Sequence, residues 1–192
     1  REHSFNLDGT GYAEVAYDSS LDFGTGAFTA ECWVKADYEN TGSGVNVILI
    51  LGGEYANTDT VSISTGIING DNKFLARIAD NNLNSDVNYT VGQWYHICLT
   101  RDDSASGLCT LYIDGAAQSD VETTTASVTN ALPKLIGRDT LSVRFYKNLI
   151  DDVRLYNKAL SADEVEQNYN AGLSQHKVGS SFSDDFSSDY GN

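Results

Sequence analysis

Two adjacent aspartates, Asp151 and Asp152, open the run DDVRLY, whose other residues have the composition of a core strand. Paired carboxylates can share general acid–base work on a glycosidic bond, or supply hard oxygen ligands to a divalent cation. Strand alternation bears on the choice. If Val153 and Leu155 face the core, Asp151 shares their side, and Asp152 stands on the outer side with Arg154 and Tyr156. Neighbours on opposite faces do not flank one glycosidic bond, so an acid–base pair is not expected and no catalytic residue is assigned. Asp152 is expected to pair with Arg154 on the surface. Asp151, on the core side, needs donors or a cation to offset its desolvation. Backbone N–H groups or a Ser/Thr hydroxyl are one solution, and a calcium ion is the other.

Three further groups have the composition of a site. In DNNLNSD, Asp80, Asn82, Asn84 and Asp86 alternate like the oxygen ligands of a calcium loop. Ser85 and Val91 occupy the places where an EF-hand needs Gly and Glu, so only a looser loop site, or a solvated turn, fits. The segments DYENTGSG and GGEYANTD set a tyrosine among amides and acids: Tyr38 with Asn40, and Tyr55 with Asn57 and Asp59. An aromatic face for a sugar ring, with planar polar groups for its hydroxyls, is the chemistry of glycan recognition. His96 and Cys98 share a strand face, but no third group orients them as a nucleophile pair, so a packed histidine is expected. Gly-x-Ser-x-Gly, His-Glu-x-x-His and phosphate-cradling glycine loops do not occur.

The elements that would position these residues are mostly strands. Residues 28–35, 45–51, 60–64, 73–78, 94–101, 108–114, 134–136 and 149–156 are short and rich in β-branched and aromatic side chains. Gly52-Gly53, Asn69-Gly70, Ser106-Gly107 and Asp114-Gly115 punctuate them. This rhythm predicts an all-β, antiparallel two-sheet sandwich or jelly roll. One helix is predicted. Ser161 and Glu164 form a capping box, and Asn170-Ala171-Gly172 supplies a stop after about Tyr169. The helix should lie against the edge or end of the sandwich. Trp33 and Trp94 fall within strands and are expected in the core.

Composition limits the function. The 192 residues, 41% of them hydrophobic, suffice for one domain with a sizeable core. A net charge of −15 argues against nucleic acid and anionic lipid as partners, and no apolar run approaches the ~20 residues of a membrane span. Cys32, Cys98 and Cys109 are too few for a disulfide scaffold. A bridge between Cys98 and Cys109 and three buried thiols are both open. Asn88-Tyr89-Thr90 is a glycosylation sequon. The absence of Met, even at position 1, suggests processing or excision from a longer chain. From Ser180 to Asn192 the sequence turns to Ser, Asp and Gly, with Phe182, Phe186 and Tyr190 as possible anchors for an arm.

The order FNLDGTGYAEV, FTAECWVK, GQWYHICLTRD, LYIDG, LIGR and IDDVRLYNKALSADEV resembles the laminin-G-like, concanavalin-A-like jelly-roll family over residues 3–172. Lys147-Asn148 departs from it, since the family usually has a small residue, often Gly, before that strand. The resemblance implies a jelly roll over residues 1–172, with 173–192 as an arm or the start of another domain. It also implies that Ca²⁺ can sit near an acid such as Asp151, with Asp8 able to approach it from the other end of the chain. Glucanases of this fold carry a Glu-x-Asp-x-x-Glu strand, which is missing here. The expectation is a non-catalytic glycan-binding or adhesion module of extracellular or surface type, with a glycan or protein as ligand. The alternative is a structural component of a virion or surface filament that self-assembles through residues 180–192.

Overall fold

The computed structural model describes residues 4–36, 44–52 and 58–177. Twelve strands, one α-helix and a 3-10 turn form among them. The strands are β1 (Phe5–Asp8), β2 (Ala13–Val15), β3 (Phe28–Ala36), β4 (Val45–Ile50), β5 (Val61–Ile68) and β6 (Asp71–Ile78). They continue with β7 (Asn81–Asn88), β8 (Gln93–Arg101), β9 (Leu108–Ile113), β10 (Ala116–Thr123), β11 (Lys134–Ile136) and β12 (Lys147–Tyr156). They make two six-stranded antiparallel sheets, sheet A in the order β1-β12-β3-β8-β9-β10 and sheet B in the order β2-β11-β4-β5-β6-β7. This is the expected jelly-roll sandwich.

Alternation along each strand sends one set of side chains between the sheets. Cys32, Val34, Ile97, Leu99 and Leu111 from sheet A meet Ile48, Ile63, Phe74, Ile78 and Leu83 from sheet B in one buried cluster. The glycine turns work as read. Asn69-Gly70 (φ 54° and 91°) and Asp114-Gly115 (φ 53° and 80°) have the two left-handed residues of tight hairpins between β5 and β6 and between β9 and β10.

DNNLNSD is a strand rather than a loop. Ala79 and Asp80 make the turn, and Asn81 starts β7, with Leu83 and Ser85 turned inward. The polar partners of this edge come from the other sheet. Two extra residues bulge β10 between Ala117 and Val121. This brings Asp120 to Asn84 N and Nδ2 (2.8 and 2.9 Å), Gln118 Oε1 to Asp86 N, and Ser119 N and Oγ to the Asp86 carboxylate (2.7 and 2.6 Å). Asn84 and Asp86 therefore close one side of the sandwich.

The helix α1 (Ala162–His176) carries the predicted capping box but runs well past Tyr169. Gly172 does not stop it. A Cβ there would lie 2.4 Å from Trp33 Nε1, so the glycine lets the helix lie directly on the indole. Consequently α1 crosses the outer face of sheet A rather than its edge. Trp33 is buried beneath it instead of in the inter-sheet core, stacked with His176 (4.4 Å) and Tyr169 (5.7 Å). All three cysteines are free and buried. Cys98 lies opposite Tyr112 and faces the helix, whereas Cys109 lies opposite Arg101 and faces the core, so the two are not poised to bridge.

Gly172→Ala should lower the melting temperature even though Ala is the better helix former by about 1 kcal/mol. Overpacking against a ring held on two sides costs about 1–3 kcal/mol. Thermal denaturation checks this, and a raised melting temperature would contradict the contact.

Candidate binding site

The adjacent aspartates lie on the sheet face under α1. Asp151 pairs with Trp33 and Arg154 with Glu31, so an extra residue bulges out of β12 between them, and Asp152 takes φ 48°. The bulge overturns the simple alternation. Ile150 and Val153 both pack on the core while Asp151 turns outward, where its Oδ2 meets His176 Nε2 at 3.1 Å. The expected pair of Asp152 with Arg154 is present at 3.3 Å.

At the centre of this face is Glu31, 1% exposed. It accepts from Tyr156 Oη (3.0 Å), Asn168 Nδ2 (3.0 and 3.2 Å) and Arg154 Nη1 (3.2 Å), and His96 Nε2 stands 3.3 Å away. Burial alone would push its carboxyl up. The contact with His96, with the bonds from Asn168 and Tyr156, more than offsets this and holds it below its ordinary 4.5. Cys98, beside His96, is pushed up by burial and then by the Glu31 charge, the opposite of an activated thiol. These groups fasten α1 to sheet A and bury the Glu31 carboxylate beneath it.

Among the described residues, the expected calcium ligands Asp8 and Asp151 are not brought together. Asp8 pairs with Lys147, four residues along β12 from Asp151, roughly 13 Å at strand rise. Its Oδ1 accepts from Thr10 N, Thr10 Oγ and Gly11 N, and these bonds, led by the Thr10 hydroxyl, lower its pKa to about 2. Asp80 faces Arg77 at 3.6 Å, and Asn82 Oδ1 accepts from the same arginine at 3.0 Å. Among the described residues no three His, Cys, Asp or Glu side chains converge as a metal site. Tyr38, Asn40, Tyr55 and Asn57 lie outside the described residues, as do residues 180–192. Gly44 and Gly52, where the two tyrosine-bearing segments attach, stand at opposite ends of β4.

Asp59 falls at one end of a different feature. Among the described residues, two exposed aromatic rings and several polar groups lie along β2, the edge strand of sheet B. Tyr12 and Tyr17, each 44% exposed, flank it roughly 15 Å apart. At the first, the Arg138 guanidinium lies 3.5 Å over the Tyr12 ring, and its Nη1 donates to Ser142 Oγ at 2.6 Å. At the second, Tyr17 Oη donates to Asp22 Oδ2 (3.3 Å), and Lys134 Nζ stands 5.8 Å from the ring. Burial lowers the Lys134 pKa, and Asp22 and Asp59 partly restore it. Lys134 also donates to Asn130 Oδ1 and Leu132 O, both at 3.3 Å. No composition signal marks Tyr12 or Arg138. An aromatic at a strand boundary looks like core until its exposure is known.

The described residues thus form a two-sheet jelly roll with one polar, tyrosine-flanked edge. The chain belongs to the concanavalin A-like lectin/glucanases superfamily, in its laminin-G type, whose model matches residues 7–166. No curated protein sequence matches it. Among solved structures it is similar to the native heptameric SAP-like pentraxin of Limulus polyphemus, at 14% identity over 84% of this chain and 78% of that one, TM-score 0.64. It is also similar to domain 4 of AbnA, an extracellular arabinanase of Geobacillus stearothermophilus seen with arabinotriose, at 19% identity over 85% and 75%, TM-score 0.61. The binding domain of Paraclostridial Mosquitocidal Protein 1 matches at 18% identity over 88% and 44%, TM-score 0.67.

Because the Glu31 pKa is depressed in the folded state, its stabilisation is present above pH 4.5 and is lost as pH falls below it. Acid should therefore loosen α1 first, read as a change in Trp33 fluorescence below about pH 4.5. Glu31→Ala, which strips a buried network of its anion, should cost about 3–5 kcal/mol at neutral pH. A loss below 1 kcal/mol in chemical denaturation would show that the network does not hold the helix.

Proposed function

We propose that the chain is a non-catalytic glycan-binding module, of extracellular type, that meets its ligand along the β2 edge of sheet B. The observation behind this reading is the arrangement of Tyr12, exposed and backed by Arg138, with Tyr17, Asp22 and Lys134 further along the same edge. Each tyrosine offers an apolar ring to the carbon face of a sugar. The guanidinium, the carboxylates of Asp22 and Asp59 and the Ser142 hydroxyl offer bonds to sugar hydroxyls at the margins. Rigid aromatic contacts of this kind cost little conformational entropy on binding. The arabinotriose seen on domain 4 of AbnA supports the ligand class. Calcium-dependent recognition would need ligands other than Asp8 and Asp151, which stand apart and already accept bonds from neighbours.

A glycan array followed by calorimetry on the best oligosaccharide tests the reading, run in calcium and in EDTA with equal affinity expected. Tyr12→Ala and Tyr17→Ala should each weaken binding by about 1 kcal/mol, roughly fivefold. Phe5→Ala, which removes an exposed ring from sheet A, should leave it unchanged. Absence of binding to every glycan, or wild-type affinity in both tyrosine variants, would reject the site.

A further inference from the structure

Resting on that reading of the β2 edge, we propose that its Tyr12–Arg138 end takes the carboxylate of an acidic sugar, a uronate or a sialate. The starting point is where the arginines of this chain are satisfied. Arg77 meets Asp80, Arg144 meets Asp139, and Arg154 meets both Glu31 and Asp152. Arg101 is fully buried and donates to the carbonyls of Gly24, Gly26 and Ala126. Arg138 alone among the described arginines has neither a carboxylate nor a set of carbonyls. In a chain of net charge −15 that is a conspicuous exception.

Arg138 has five N–H donors, and Ser142 Oγ engages one. Its Nε is closed off from solvent with no acceptor. Nη2 has no protein acceptor either, yet is not closed off in this way, so it is the nitrogen a ligand can reach. The adjacent Asp139 is not available to it. That carboxylate is buried and accepts from Val143 N (3.0 Å), Arg144 N (3.3 Å) and Arg144 Nη1 (2.9 Å). The same loop thus neutralises Asp139 with Arg144 and leaves Arg138 uncompensated.

The geometry is preorganised. Contact with Tyr12 on one side and Ser142 on the other fixes the guanidinium plane, so little rotamer freedom is lost when a ligand arrives. A carboxylate on a pyranose ring would accept from Nη2 while the ring lies along exposed Tyr12. Charge-assisted bonds of this type are roughly twice as strong as neutral ones. The Tyr17 end differs, because Lys134 is compensated there by Asp22 and Asp59. The edge therefore reads as a cationic end and an acidic end, since one lysine faces two carboxylates at the second. The overall negative charge opposes approach of an anion, but beyond about 8 Å at physiological salt this field is largely screened.

Calorimetry with oligogalacturonate, its methyl-esterified counterpart, 3′-sialyllactose, lactose and a poly-glutamate peptide tests the proposal on the full chain. Wild type should bind one carboxylated sugar at least tenfold more tightly than its uncharged counterpart, and the better of the two pairs identifies uronate or sialate. Arg138→Gln should bring that ratio to near one, and Arg138→Lys, which keeps the charge but not the planar fork, should leave it in between. Equal affinity of wild type for charged and uncharged sugars would overturn the carboxylate assignment while leaving the glycan reading intact. An unchanged ratio in Arg138→Gln, or tight binding of poly-glutamate, would also overturn it. No binding of any sugar would reject both readings.

Discussion

A single buried carboxylate organises this molecule. Glu31 sits on the outer face of sheet A with almost no contact with water, and it is tolerable there only because four side chains surround it. Arg154 and Tyr156 come from β12, His96 from β8 and Asn168 from α1. Removing any of these elements would strip the buried charge of at least one partner. The helix, the bulged strand and the central strands are thereby held in one arrangement. Packing follows the same plan, since Trp33 next to Glu31 receives His176, Tyr169 and the bare backbone of Gly172.

Covering sheet A has a functional consequence. A jelly roll has two outer faces and a set of edges, and here one face is closed by its own helix. Polar groups on the far side of the sandwich, between β7 and β10, are also committed, because Asn84, Asp86, Gln118, Ser119 and Asp120 bond one another. Among the described residues, the β2 edge brings exposed aromatic surface together with the Arg138 guanidinium. A three-residue edge strand leaves little backbone for unwanted pairing, and the flanking tyrosines instead present flat, rigid surface.

Much of the architecture was legible from residue patterns. The alternating runs from Phe28 to Tyr156 and the Asn-Gly and Asp-Gly turns appear where their chemistry requires, and Ser161 and Glu164 cap the helix. The failures have a common cause in contacts distant along the chain. Alternation placed Asp151 inward, but the bulge at Asp152 turns it to His176, and a bulge depends on what the neighbouring strands need. DNNLNSD looks like a loop because its polar residues are paired from β10, more than thirty positions away. Gly172 has the composition of a stop but functions as a packing surface for Trp33. Asn148, where the resemblance implied a small residue, takes φ 152°, with its own Oδ1 accepting from Leu149 N. Tyr12 and Arg138 are 126 positions apart, so only the folded register of β2 against β11 brings them together.

The clasp around Glu31 reserves sheet A for the helix, so that the proposed glycan ligand meets the β2 edge of sheet B. Amide hydrogen exchange, with and without a saturating oligosaccharide identified by array, tests it most directly. New protection is expected over residues 12–17 and 134–142, with exchange of α1 and of β3 unchanged. Protection concentrated on α1 and the outer face of sheet A, with the β2 edge unaffected, would contradict it.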